Sequence, residues 1–155
     1  MTTLRDQLGD FSSIVCLKAI IVGMEDALGE KATAISLIAA GRARGKKLAA
    51  ELGLINSGVS LEDATSKMAY ALGKDGTRLL VLDKIERVDN VIKVYTKETV
   101  CSAGEPQGSA RKCTFTLGAV WGALEMILSK RLQGKHTGSV LRGDTHDVFE
   151  FTELA

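Results

Sequence analysis

Few side chains in this sequence could do covalent or metal chemistry. There are three cysteines, Cys16, Cys101 and Cys113, and two histidines, His136 and His146, both near the C-terminal end. No cysteine pair has CxxC spacing, and no HExxH or GxSxG motif is present. Cys101 or Cys113 beside His136 would make a Cys–His nucleophile pair, but no spacing fixes a third, orienting group. Gly41 to Gly45 leaves three intervening residues where a phosphate-binding P-loop needs four. Lys47 stands where that motif needs Ser or Thr for magnesium. With no mechanism assembled, the chain reads as non-catalytic. An odd number of widely spaced cysteines suits reduced thiols, hence a cytoplasmic setting, better than a disulfide framework.

The elements that must position these residues centre on Lys112–Leu128. Its apolar run predicts a helix over Phe115–Leu132, with Trp121, Leu124, Leu128 and Leu132 in a stripe at three- and four-residue spacing. Gly118 and Gly122 lie one turn apart on a neighbouring face. Each costs about 1 kcal/mol against alanine in a helix interior, so something must come close to the backbone there. That something is another helix or sheet, or a ligand. The run Cys113–Leu128 has sixteen residues and carries Glu125. A membrane span needs about 20 apolar residues, so none is expected here.

Upstream, Phe11–Leu28 is apolar on nearly every side and predicts a helix that is buried or covered by a partner. Asp10 or Ser12 is the candidate cap, and Lys18 is the one cation, snorkelling to water. Glu30–Leu52 predicts a second helix, with Gly41 and Gly45 repeating the small-residue spacing. Its cluster Arg42, Arg44, Lys46 and Lys47 is a solvated face or an anion site. Ser60, with Asp63 three residues on, opens a third helix striped by Ala64, Met68 and Leu72. Leu79–Glu86 and Val91–Val100 then read as paired strands, with Ile92, Val94 and Thr96 on one face and Lys93, Tyr95 and Lys97 on the other. Lys135–Leu141 and Asp147–Phe151 read as a second hairpin around Gly143-Asp144. The class is α+β: N-terminal helices, then hairpin, helix, hairpin, forming one antiparallel sheet packed on helices.

At 155 residues the chain is most simply one domain, residues 1–155. Twenty basic and nineteen acidic residues nearly cancel, and only 5% are aromatic. Neither a long-range field nor a stacking platform is expected, which weighs against nucleic acid as a partner. Met1–Phe11 carries Arg5, Asp6 and Asp10 and lacks the apolar core of a secretion signal.

Two stretches carry a resemblance. One is Met24–Leu54, MEDALGEKATAISLIAAGRARGKKLAAELGL. The other is the C-terminal third, where Cys113-Thr-Phe-Thr-Leu-Gly118-Ala-Val-Trp-Gly122-Ala-Leu precedes a strand and then Arg142-Gly-Asp-Thr-His-Asp147-Val-Phe-Glu-Phe151. Together they resemble the 4-vinyl reductase domain, a small-molecule-binding domain whose fold is shared with subunits of the TRAPP vesicle-tethering complex. The resemblance implies a pocket for a hydrophobic guest (hydrocarbon, aromatic or tetrapyrrole-like) serving a sensor or carrier, and a tendency to homodimerise. The expected lining is Ile20, Ile38, Arg42, Phe115, Gly118, Trp121, Gly122 and Leu124. Several members look like zinc binders, which implies a degenerate site at Cys113, His136 and Asp147, with Ser139 where another cysteine would stand. Two other readings stand beside this one: a dimeric interaction module without a cavity, and a zinc-dependent regulatory domain.

Overall fold

The computed structural model describes Arg5, Gln7 and residues 13–155. The candidate caps Asp10 and Ser12, and Phe11 at the expected helix start, lie outside these. Among these residues, four helices, four strands and one 3-10 turn follow in the order α1 (Ile14–Leu28), α2 (Glu30–Glu51), α3 (Leu61–Leu72), β1 (Val81–Val88), β2 (Val91–Lys97), α4 (Phe115–Leu128), β3 (Leu132–Gly138), the turn Val140–Arg142 and β4 (Asp147–Glu153). The strands form one antiparallel sheet in the order β1-β2-β4-β3. The class is α+β, as the sequence indicates.

Local chemistry explains most of the boundaries. Ser13 caps α1 by accepting from the Cys16 N–H, and Ser60 caps α3 through the Asp63 N–H. The β1–β2 hairpin turns at Asp89-Asn90, with Asp89 at φ 57°, a value Asp and Asn tolerate better than most side chains. In β2, Ile92, Val94 and Thr96 are fully buried, as the alternation requires. The opposite face carries ion pairs, including Lys84–Glu86 and Lys93–Glu150.

The core lies between this sheet and α4. Phe149 and Phe151 of β4 rise into it with Ile92, Val94, Val120, Leu124 and, from α3, Met68 and Leu72. Every residue of α4 from Thr116 to Leu124 is buried. Its other side lies against α2 with almost no spacing. A Cβ at Gly118 would sit 2.3 Å from the Ile38 carbonyl oxygen, and one at Gly122 2.1 Å from that of Arg42. From the opposite helix, a Cβ at Gly41 would meet the Phe115 carbonyl oxygen at 2.2 Å, and one at Gly45 that of Ala119 at 2.0 Å. Four glycines therefore form a backbone-to-backbone seam. Of the two explanations for paired glycines, the structure chooses a second helix.

The expected end of α4 is corrected. The helix expected to reach Leu132 stops at Leu128, where Ser129 adopts a left-handed cap at φ 52°. Leu132 instead opens β3, because Trp121 Nε1 donates to its carbonyl (3.0 Å) and its N–H donates to Glu125 Oε2 (2.9 Å). Gly134 lies within β3, where a Cβ would press on the Phe151 ring at 2.6 Å and the Trp121 ring at 3.0 Å. The apolar α1 is not buried within the chain, which leaves cover by a partner as its remaining expected reading. Of its residues only Ile21 is buried, while Val15 is 73% and Ile20 58% exposed. Among the described residues, no helix is long and apolar enough to cross a membrane.

Candidate functional site

The strand β2 ends at Lys97, and residues 98–114 run from the sheet back to the start of α4. This connection is stitched down on both sides. Lys18 of α1 donates to the carbonyls of Ala103 (2.8 Å) and Cys101 (3.3 Å), so its ammonium caps a loop and does not snorkel into water. Burial lowers the Lys18 pKa. From the other side, the Gly108 N–H donates to the Leu141 carbonyl, and Arg142 donates to the carbonyls of Ser109 and Arg111.

Between this connection and the start of α2 lies a groove of about 680 Å³, lined by Glu25, Glu30, Lys31, Ala34, Glu105, Ser109, Ala110, Arg111, Lys112 and Thr114. Arg111 spans it, pairing with Glu25 at 2.8 Å and with Glu105. The Arg111 guanidinium holds the Glu105 carboxyl below its ordinary value. Ala34 lies one turn before Ile38, and Thr114 directly precedes Phe115, so the groove opens where the glycine seam ends.

The residues expected to line an apolar pocket are not gathered there. None of them lines this groove. Ile20 faces outward on α1, and Leu124 is fully buried in the sheet-facing core. Ile38 and Phe115 are partly buried against that core. Gly118 and Gly122 are filled from the α2 side by backbone, so they leave a guest no room. Arg42 is committed elsewhere: it pairs with Glu125 at 2.7 Å and stacks over Trp121 at 4.5 Å from the ring centroid. Arg44 and Lys47 pair with Glu51, the arrangement of a solvated helix face.

A second cluster lies beneath the connection. Cys101 and Cys113 are joined as a disulfide, which overturns the expectation of unpaired thiols and removes the reason for placing the chain in a cytosol. Spacing alone hid this pair, because a turn-rich loop with Gly104, Pro106 and Gly108 brings together two residues twelve apart. Beside it Asp147, 1% exposed, accepts from the Thr99 hydroxyl (2.7 Å) and from the Val140 N–H (3.3 Å). Burial pushes the Asp147 carboxyl upward, but the nearby His136 ring and the Thr99 hydroxyl outweigh it and hold the group below its ordinary value.

His136, Cys113 and Asp147, the residues expected to hold zinc, do meet here. The Cys113 N–H donates to His136 Nδ1 at 3.1 Å, and His136 Nε2 lies 3.3 Å from Asp147 Oδ1. The donor types suit zinc, but the imidazole is not free to coordinate. With Nδ1 accepting, the neutral ring carries its hydrogen on Nε2, the atom facing Asp147. The atoms that do converge are Cys101 Sγ, Cys113 Sγ and an Asp147 carboxylate oxygen, all within 4.8 Å of one another. Sequence reasoning weighed Cys101 only as a nucleophile beside His136 and did not place it in this cluster. His146 lies apart, bonded to Asp83 at 2.7 Å on the exposed side of the sheet.

No family model matches the chain, and no curated protein matches it by sequence. Solved structures do match in fold. One is the phenol-responsive sensory domain of the transcription activator PoxR with phenol, at TM-score 0.69 and 13% identity, covering 92% of this chain and 75% of that one. Another is a trafficking protein particle complex subunit 3 from Naegleria fowleri covalently bound to palmitic acid, at TM-score 0.55 and 16% identity, covering 92% of this chain and 95% of that one. The fold is shared with a sensory domain and a TRAPP subunit.

Proposed function

We propose that residues 1–155 form one small-molecule-binding domain, a sensor or carrier without catalysis, whose guest enters at the groove under the 98–114 connection. The observation that carries this reading is the fold match over 92% of the chain to a domain described with its phenol. The palmitate described with the second match points the same way. Function belongs to sites and not folds, so the groove must carry the chemical detail. Its volume falls within the roughly 300–1,000 Å³ of small-molecule sites. Its walls narrow the guest. Sealing Arg111, Glu25 and Glu105 under a bare hydrocarbon would desolvate charges without compensation. A guest with an apolar body and a polar head, such as a phenol, an acyl carboxylate or a tetrapyrrole with acid side chains, fits better than a plain hydrocarbon.

Native mass spectrometry of freshly purified protein, followed by thermal-shift titration with phenol and with palmitate, tests the proposal. A retained adduct, or saturable stabilisation lost in Ala110→Trp, supports it. A bare chain that neither probe stabilises contradicts it.

A second reading rests on α1. Ile14, Val15, Ile20, Val22 and Leu28 are all exposed on one short helix, and Ile35 of α2 is exposed as well. A helix this apolar and this exposed suits an interface, and the occupant we propose is a second copy of the chain. Light scattering across a concentration series separates dimer from monomer, and Val15→Lys should abolish a dimer built on this helix.

A further inference from the structure

We propose that the Cys101–Cys113 disulfide is a redox latch on the groove: closed, it holds one wall of the guest site in shape, and its reduction by a small thiol frees that wall and lowers guest affinity. The proposal rests on the groove being the guest site and adds the chemistry that would regulate it.

Three observations support the latch. First, the two cysteines bracket half of the groove. Glu105, Ser109, Ala110, Arg111 and Lys112 all lie between them, and most of the remaining lining comes from α1 and the start of α2. Second, the cysteines are the buried anchors of this segment. Residues 102–112 contain no helix or strand and none of them is buried, while Cys101 and Cys113 are 7% and 2% exposed. The other ties are polar: Lys18 to the Ala103 carbonyl, the Gln107 amide to the Val140 and Leu141 carbonyls, and Arg111 to Glu25 and Glu105. Such partly exposed ties compete with water, so each adds little. Cross-linking a loop of this size restricts the open segment by a factor on the order of 100. Third, the reduced pair would not be stranded. The Thr99 oxygen lies 2.9 Å from Cys101 Sγ and 3.7 Å from Cys113 Sγ, and its hydrogen goes to Asp147, so it can accept from a thiol. The core beneath can therefore keep its shape while the segment above it loosens.

The exchange balances with a small thiol, RSH, as reductant. RS⁻ attacks Cys101 Sγ, which belongs to the less buried of the two residues, and forms a mixed disulfide as the protein S–S bond breaks. The electron pair leaves on Cys113, which takes up the proton that RSH released. Cys113 lies just before α4, where the helix dipole favours thiolate and so makes it the better leaving group. A second RS⁻ attacks the RS sulfur of the mixed disulfide, forms RSSR and expels the Cys101 thiolate, which is protonated in turn. The protein disulfide gains two electrons and two RSH become RSSR. The small disulfide RSSR reverses the sequence and closes the latch.

The test uses the full chain carrying Cys16→Ser, so that the exposed third thiol cannot interfere. Oxidised and phosphine-reduced forms are compared by amide hydrogen exchange without a guest and by calorimetric titration with phenol and with palmitate. Reduction should speed exchange across residues 102–112 by about tenfold or more, within the roughly 100-fold that loop closure allows. Exchange in α4 and β4 should stay as it was. Affinity for whichever probe binds should fall by about tenfold, and oxidised glutathione should restore both readings. A chain with Cys101→Ser and Cys113→Ser should match the reduced form, and the reduced arm decides the matter if that variant fails to fold. Equal exchange in the two forms, opening of α4 together with the segment, or undiminished affinity after reduction would each overturn the latch. A segment that loosens on reduction while neither form binds a probe upholds the latch and removes the guest reading instead.

Discussion

The helices α1 and α4 are nearly equal in length, 15 and 14 residues, and both are strongly apolar. One lies on the surface and the other at the centre of the molecule. Their glycines show why. Gly23 in α1 has nothing within 4 Å of where a Cβ would be, whereas added carbons at Gly118 and Gly122 in α4 would strike the α2 backbone. Apolar content makes a helix eligible for burial, but close approach decides which helix is buried. The small residues of α4 match those of α2, so the two backbones come together and α4 can lie flat between α2 and the sheet. Lacking such a mate among the described residues, α1 rests on α2 with an apolar face outward.

The sharpest way to break this contrast is to add one methyl group on each side. Gly118→Ala should destabilise by about 3 kcal/mol or more, the upper end of overpacking costs, despite the propensity gain of about 1 kcal/mol. Denaturant unfolding measures it, and a loss below about 1 kcal/mol would show that the seam can give. Glu125→Ala comes next. It strips Arg42 of its partner and leaves the Leu132 N–H without an acceptor, at a cost of about 1–3 kcal/mol. Gly23→Ala should move the other way, stabilising by about 0.5–1 kcal/mol, since that glycine has open space around it. On the same helix, Val15→Lys should change monomer stability by no more than about 0.5 kcal/mol. The smallest expected effect concerns pH. The Glu105 carboxyl is held below its unfolded value of 4.5, so its pairing with Arg111 stabilises the fold above that pH and is lost as pH falls through the lower folded value. Glu105→Gln should flatten that part of the acid-unfolding curve, and an unchanged curve would remove Glu105 from the account.

Much of the fold was legible because periodicity is local. The α3 stripe Ala64, Met68 and Leu72 is buried, and the β2 alternation has the faces it predicts. The glycines of α2 and α4 were legible as marks of close approach, but their mate was not, since pairing two distant helices needs the third dimension. The same limit hid the site. The Cys101–Cys113 pair depends on a loop folding back, and Lys18 was read as snorkelling because its acceptors lie 83 and 85 positions away. Arg42 looked free in sequence because its partners, Glu125 and Trp121, belong to the other end of the chain.

The account holds that the seam is shut and the groove is where a guest enters. A backbone amide NMR titration of the folded chain with phenol, and separately with palmitate, tests this most directly. Saturable shifts should centre on Ala34, Ala110, Arg111 and Thr114, while Gly41, Gly45, Gly118 and Gly122 stay in place. Shifts centred on those four glycines, or no saturable shift with either probe, would contradict it.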